Sequence, residues 1–64
     1  MKVILKIKNK DRALVVWVGN NLPFVVCTLP LDCEKAKPGD TISVWFHGNY
    51  FATLDEALAY FNRG

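Results

Sequence analysis

No stretch of this sequence approaches the roughly 20 apolar residues that a membrane-spanning helix needs. The start, Met1-Lys2-Val3-Ile4-Leu5-Lys6, is too short and too broken by lysine for a secretory leader. Metal chemistry is thinly provided for. There are two cysteines, Cys27 and Cys33, and one histidine, His47, without the spacing of a zinc site. Two cysteines are also too few for the disulfide framework of a small secreted domain, so both are read as free thiols in a reducing cytosol. Ser43 is the only serine, and no nucleophile elbow surrounds it. No glycine-rich phosphate loop occurs. Asp55 and Glu56 are adjacent and diverge on a helix, which suits a helix's first turn better than acid–base chemistry. The expectation is a cytoplasmic protein without catalysis, cofactor, metal or membrane segment.

Apolar residues, by contrast, are plentiful. They make up 52% of the 64 residues, against 22% charged. A chain of this length forms one domain, residues 1–64, and buries only about 60% of the surface its unfolded form exposes. The apolar surplus calls for a closed barrel, a homodimer or a sticky partner site. The net charge is +2 but uneven: Lys2, Lys6, Lys8, Lys10 and Arg12 crowd the first twelve residues, and the acids lie mostly beyond. A basic first strand can steer an anionic partner. It also guards a sheet edge against aggregation.

Period-two alternation over Val3 to Lys8 predicts a first strand, and Ala13 to Val18 a second that is apolar on both faces. Gly19-Asn20-Asn21 marks a turn, and Phe24 to Leu29 reads as a third strand behind Pro23. Asp32 is placed to cap one helical turn over residues 33–36, and Pro38-Gly39-Asp40 is turn chemistry. Thr41 to His47 and Tyr50 to Ala52 read as strands four and five, joined by a Gly48-Asn49 hairpin. Thr53 and Glu56 then form a capping box opening a helix from Leu54 to about Asn62, with Leu54, Leu58 and Phe61 as its apolar stripe. The fold class is therefore mainly β: a five-stranded antiparallel sheet, or an SH3-like partial barrel, with one C-terminal helix.

Two-residue turns set a register that puts Val3, Leu5, Ile7, Leu14, Val16, Val18, Val25, Cys27 and Leu29 on one face. That face is wholly apolar and reads as core, covered by the helix with Ile42, Val44, Phe46 and Phe51. The opposite face then carries Ile4, Lys6, Lys8, Ala13, Val15, Trp17, Phe24, Val26 and Thr28, with Trp17 beside Phe24. The second hairpin adds Trp45, His47 and Tyr50 to the same side. A sheet curled into a barrel would exchange inside and outside for part of this assignment.

The segment Tyr50-Phe51-Ala52-Thr53-Leu54-Asp55-Glu56-Ala57-Leu58 resembles the tail of short phage and prophage accessory proteins, which often end in an aromatic strand and a helix of this pattern. The resemblance covers about a dozen residues and implies an accessory role, often binding a host protein. Five strands with a terminal helix are also similar in outline to the small archaeal chromatin proteins, but the dense lysines of that family are missing here. The expected function is a non-catalytic protein-binding module, as an accessory protein or inhibitor, with Lys6, Lys8, Trp17, Phe24, Trp45, His47 and Tyr50 as its partner surface. The alternative is a nucleic-acid-binding β-barrel in which Trp17 and Phe24 stack bases and Lys6 and Lys8 meet phosphates. A net charge of +2 disfavours it. A homodimer is compatible with the first reading.

Overall fold

A computed structural model of the chain describes residues 1–33 and 35–63, the side chain of residue 33 excepted. Four strands, β1 (Lys2–Lys8), β2 (Arg12–Trp17), β3 (Phe24–Thr28) and β4 (Phe46–Phe51), precede one helix, α1 (Leu54–Arg63). The strands form an antiparallel meander in the order β1-β2-β3-β4. Among the described residues no helix is long and apolar enough to cross a membrane.

The register differs from the expected one by a residue at both turns. Lys8 pairs with Arg12, so the first loop holds three residues, with Asn9 and Lys10 in the left-handed region at φ 55° and 72°. Across the second turn Val16, not Trp17, pairs with Phe24. Within β1, Ile4 pairs with Val15 and Lys6 with Leu14, leaving Leu5 as a bulge. Side chains alternate along a strand, so each slip exchanges the two faces. Ile4, Ala13, Val15, Val25 and Cys27 therefore share one side of the sheet and form one buried cluster with Leu29. Leu14 and Val26 lie in a second cluster with Ala57 and Phe61 of the helix. The expected single core face is corrected accordingly: Leu14 parts from Val25 and Cys27, and Leu5 and Val18 are exposed.

Each apolar face has its own cover. The helix covers Leu14 and Val26 through Ala57 and Phe61, flanked by Leu58 and Tyr60. Leu54, expected in the apolar stripe, is 39% exposed, because the buried stripe runs through Ala57 instead. The connection from β3 to β4 covers the other face with Ala36, Ile42 and Trp45. It contains a short 3-10 turn, Leu31–Cys33, near the helical turn expected over 33–36. The part of that expectation that falls on Glu34, like the thiol of Cys33, lies outside the described residues.

Strands four and five of the sequence reading are also corrected. Gly48 and Asn49 lie inside β4, and the register between Val26/Asn49 and Thr28/Phe46 shows a bulge there, with His47 left-handed at φ 53°. Thr41 makes only an isolated bridge to Val3. Around it, Gly39 N–H donates to Ile4 O, Ile4 N–H to Asp40 O and Ile42 N–H to Lys2 O, at 2.7, 2.9 and 3.0 Å. This segment pairs with the start of the outer edge of β1, at Lys2 to Ile4, and then departs, so the sheet has four strands and stays open rather than closing as a partial barrel. Val44 and Phe46, expected as cover, are 59% and 54% exposed. The turn before the bridge behaves as its residues dictate: Pro38 leads and Gly39 takes φ 98°.

Both helix ends are tied down. Glu56 N–H donates to Thr53 Oγ1 at 3.3 Å, and the Thr53 hydroxyl donates to Glu56 Oε1 at 3.0 Å. At the other end Lys8 Nζ donates to Phe61 O and Arg12 Nη2 to Tyr60 O, both at 3.0 Å. These cations meet carbonyls that the last helical turn leaves unpaired, where the helix dipole favours positive charge.

Two outcomes follow for stability. Thr53→Ala removes the N-cap and should lower unfolding free energy by about 1 kcal/mol in a denaturant titration; an unchanged midpoint would remove the capping argument. Burial pushes the Cys27 thiol from 9.0 up to about 11. The unfolded chain then loses this proton first, so Cys27 should contribute fully below pH 9.0 and lose its contribution as pH rises toward 11. Stability measured across that window should fall more steeply in wild type than in Cys27→Ala, and parallel curves would refute the assignment.

Candidate functional site

The face covered by the irregular connection gathers three large rings at one end. Trp17 closes β2, its N–H donating to Pro23 O at 2.6 Å, and shares a face with Val15. Tyr50 pairs with Val25 and so belongs to the same face. Trp45 precedes β4 and packs on the same buried cluster. The indoles of Trp17 and Trp45 meet edge to face, centroids 5.7 Å apart and planes at 77°. Tyr50 lies 6.4 Å from Trp17, and Trp45 Nε1–H donates to its hydroxyl at 3.1 Å.

Gly48 makes this packing possible. A Cβ there would stand 2.9 Å from Trp45 Nε1 and 3.1 Å from Cε1 and the hydroxyl of Tyr50. The rings occupy the space that any other residue's side chain would take. Trp17 and Trp45 are half-buried, and Tyr50 is 41% exposed.

One cation enters the cluster, and the sequence reading did not include it. Lys2 pairs with Trp17 across β1 and β2. Its ammonium sits 4.5 Å from the centroid of Trp17 and 5.4 Å from that of Trp45. The signal is in the sequence: Lys2 and Ile4 have the same parity, and the sequence reading places Ile4 on the face of Trp17. The bulge at Leu5 then moves Lys6 and Lys8 to the helix side.

Of the seven residues expected at the partner surface, the structure brings together Trp17, Trp45 and Tyr50 and separates the rest. Phe24 packs in the helix-side cluster, so the expected Trp17–Phe24 cross-strand pair does not exist. Lys8 is held against the helix, bonded to Phe61 O with its ammonium 5.6 Å from the Phe61 ring. Lys6 pairs with Leu14 and is exposed on the same side. His47 is exposed at the β4 bulge.

Next to the rings in sequence, exposed Val44 and Phe46 line a groove of about 480 Å³ with Ile4, Pro30, Ala36 and Ile42. Among the described residues no group of three or more His, Cys, Asp or Glu is placed to hold a metal ion. What the arrangement offers is contact area and ring faces. No family model matches the chain, and neither a curated protein nor a solved structure matches it.

Gly48→Ala should displace the Trp45 indole from the Tyr50 hydroxyl. The expected result is an altered near-ultraviolet circular dichroism spectrum with a loss of about 1–3 kcal/mol, as for other overpacked sites. A variant with native spectrum and native stability would show that the rings do not depend on this glycine.

Proposed function

We propose that the protein is a non-catalytic protein-binding module whose partner surface is centred on Trp17, Trp45 and Tyr50. The observation that carries this reading is the ring cluster itself. Three large aromatic side chains are fixed by mutual packing and an indole–hydroxyl bond, yet the core absorbs them only in part. Trp and Tyr held in this way are the residues that dominate binding energy at protein interfaces, because little side-chain freedom is left to lose on association. Val44 and Phe46 extend the surface with apolar area on either side of Trp45.

A module of this kind acts by occupying its partner, which suits the accessory or inhibitory role implied by the phage-like tail, Tyr50 to Leu58. A second copy of the chain is one partner such a surface can take. Nucleic acid has less support than it had from the sequence. Lys8 is engaged by the helix, and Phe24 lies on the opposite side of the sheet from Trp17.

Affinity capture from a host lysate tests the reading, with wild type, Tyr50→Ala and, as a control on the helix side, Lys6→Ala. Tyr50→Ala should weaken retention of a captured protein by about 2 kcal/mol or more, as hot-spot aromatics do, while a cooperative unfolding transition and a wild-type far-ultraviolet circular dichroism spectrum show that the sheet is intact. Lys6→Ala should retain it. Capture that ignores Tyr50→Ala overturns the proposed surface. Capture that nuclease abolishes and that falls steeply with salt restores the nucleic-acid reading.

A further inference from the structure

The ring cluster already holds a cation. The Lys2 ammonium lies within cation–π range of two indoles that stand nearly perpendicular to each other, with the Tyr50 ring beside them. Two near-orthogonal ring faces meeting one positive centre are half of an aromatic cage. The Trp45 wall is held in place by its bond to the Tyr50 hydroxyl and by the missing side chain at Gly48.

The occupant is replaceable. The Lys2 backbone is fixed independently of its side chain: its carbonyl accepts from Ile42 N–H, and the neighbouring Met1 carbonyl accepts from Val18 N–H. Withdrawing the ammonium therefore needs only rotation of a flexible four-carbon stem, with no strand broken. Cation–π attraction is not selective for this ammonium, so another cation of suitable size and hydration competes for the same ring faces.

We propose that Trp17 and Trp45, braced by Tyr50, form a receptor for an alkylammonium head group, a lysine side chain of the partner in plain or methylated form, with Lys2 as the internal ligand that it displaces. This rests on the partner-surface reading above and names the chemistry that surface selects. Lys2 sets the threshold: the site is available only for the fraction of time that its own lysine is out, and apparent affinity falls by that fraction.

Tetramethylammonium chloride is the probe, titrated into wild type and Lys2→Gln while the two indole N–H resonances are followed by ¹H–¹⁵N NMR. Neopentyl alcohol, similar in shape but neutral, is the control, and sodium chloride matches ionic strength. Both indole signals should shift saturably with the cation, at roughly tens of millimolar, and not with the alcohol. Lys2→Gln should bind roughly threefold more tightly, or better, than wild type. Should Lys2→Gln lose its folded spectrum, Lys2→Met keeps the stem over the ring and replaces it. A peptide bearing lysine, compared with one bearing trimethyllysine, separates the two forms of the ligand.

No saturable shift in the Lys2 variant, or equal shifts with the neutral alcohol, overturns the cage. If that result accompanies capture lost in Tyr50→Ala, the partner surface stands and only its cation chemistry is removed. Shifts that appear as expected, with capture indifferent to Tyr50→Ala, leave an ammonium site that the captured partner does not use.

Discussion

Val15 faces Val25 on one side of the sheet and Leu14 faces Val26 on the other, and all four are within 1% of complete burial. A sheet whose two central strands are apolar on both sides has no face to give to water. Each such side chain gains about 1.5–3 kcal/mol from burial, but only if something lies over it. The chain must therefore find two covers, and the rest of the structure is the means. The helix is one. At ten residues it is too short to persist alone in water, so it depends on Ala57 and Phe61 docking against Leu14 and Val26. The β3–β4 connection is the other. It has little regular structure of its own and is held by Ala36, Ile42 and Trp45 and by backbone bonds to the edge of β1.

The same two-sided burial explains what could and could not be read from the sequence. The first three strands, the terminal helix and its Thr53 cap were legible because alternation, turn residues and capping chemistry are local signals. Register was not. A one-residue slip is normally forbidden because it would turn apolar residues to water. Here it exchanges Val16 and Val18 for Val15 and Trp17, one apolar set for another, and the pattern carries no preference. Turn geometry had to decide, and Asn9 and Lys10, both left-handed, build a longer loop than their residue types announce. Gly48-Asn49 misled for a related reason. Its glycine is required by the rings of Trp45 and Tyr50 rather than by a hairpin, and such a requirement is visible only in three dimensions. The grouping of Trp45 with Tyr50 was expected from a hairpin at Gly48-Asn49 that does not form; the bulge in β4 brings these residues, five apart in sequence, to one side instead. Lys6 and Lys8 left that group because the Leu5 bulge breaks parity inside β1.

The basic residues of the first hairpin divide along the same line. Lys8 and Arg12 pair across β1 and β2 on the helix side and close the helix's C-terminus through Phe61 O and Tyr60 O. The Arg12 guanidinium also lies 5.3 Å from the Tyr60 ring. Its Nε is buried without a hydrogen-bond partner among the described residues, a cost of about 1–3 kcal/mol that the carbonyl bond and the ring contact offset. Lys2, on the opposite face, meets ring faces. The charge that looked like a single steering patch is thus spent in two separate places, one holding a helix and one filling an aromatic site.

The two covers also differ in how well they fit the sheet. A helix presents a regular stripe, and Ala57 at 0% exposure lets it approach the sheet closely, so its side of the sheet closes around Phe61. The connection turns at Gly39, bridges at Thr41 and crosses to β4 without a repeating pattern of side chains. An irregular cover cannot match a pleated face throughout. It leaves the groove beside Val44 and Phe46, and it leaves Trp17 and Trp45 only partly buried. The large rings there are ordered by an indole–hydroxyl bond and a glycine kept clear beneath them, and they leave aromatic area open on this face. The partner surface proposed above lies on this less regularly covered face, where mutual packing keeps aromatic surface ordered while leaving part of it open.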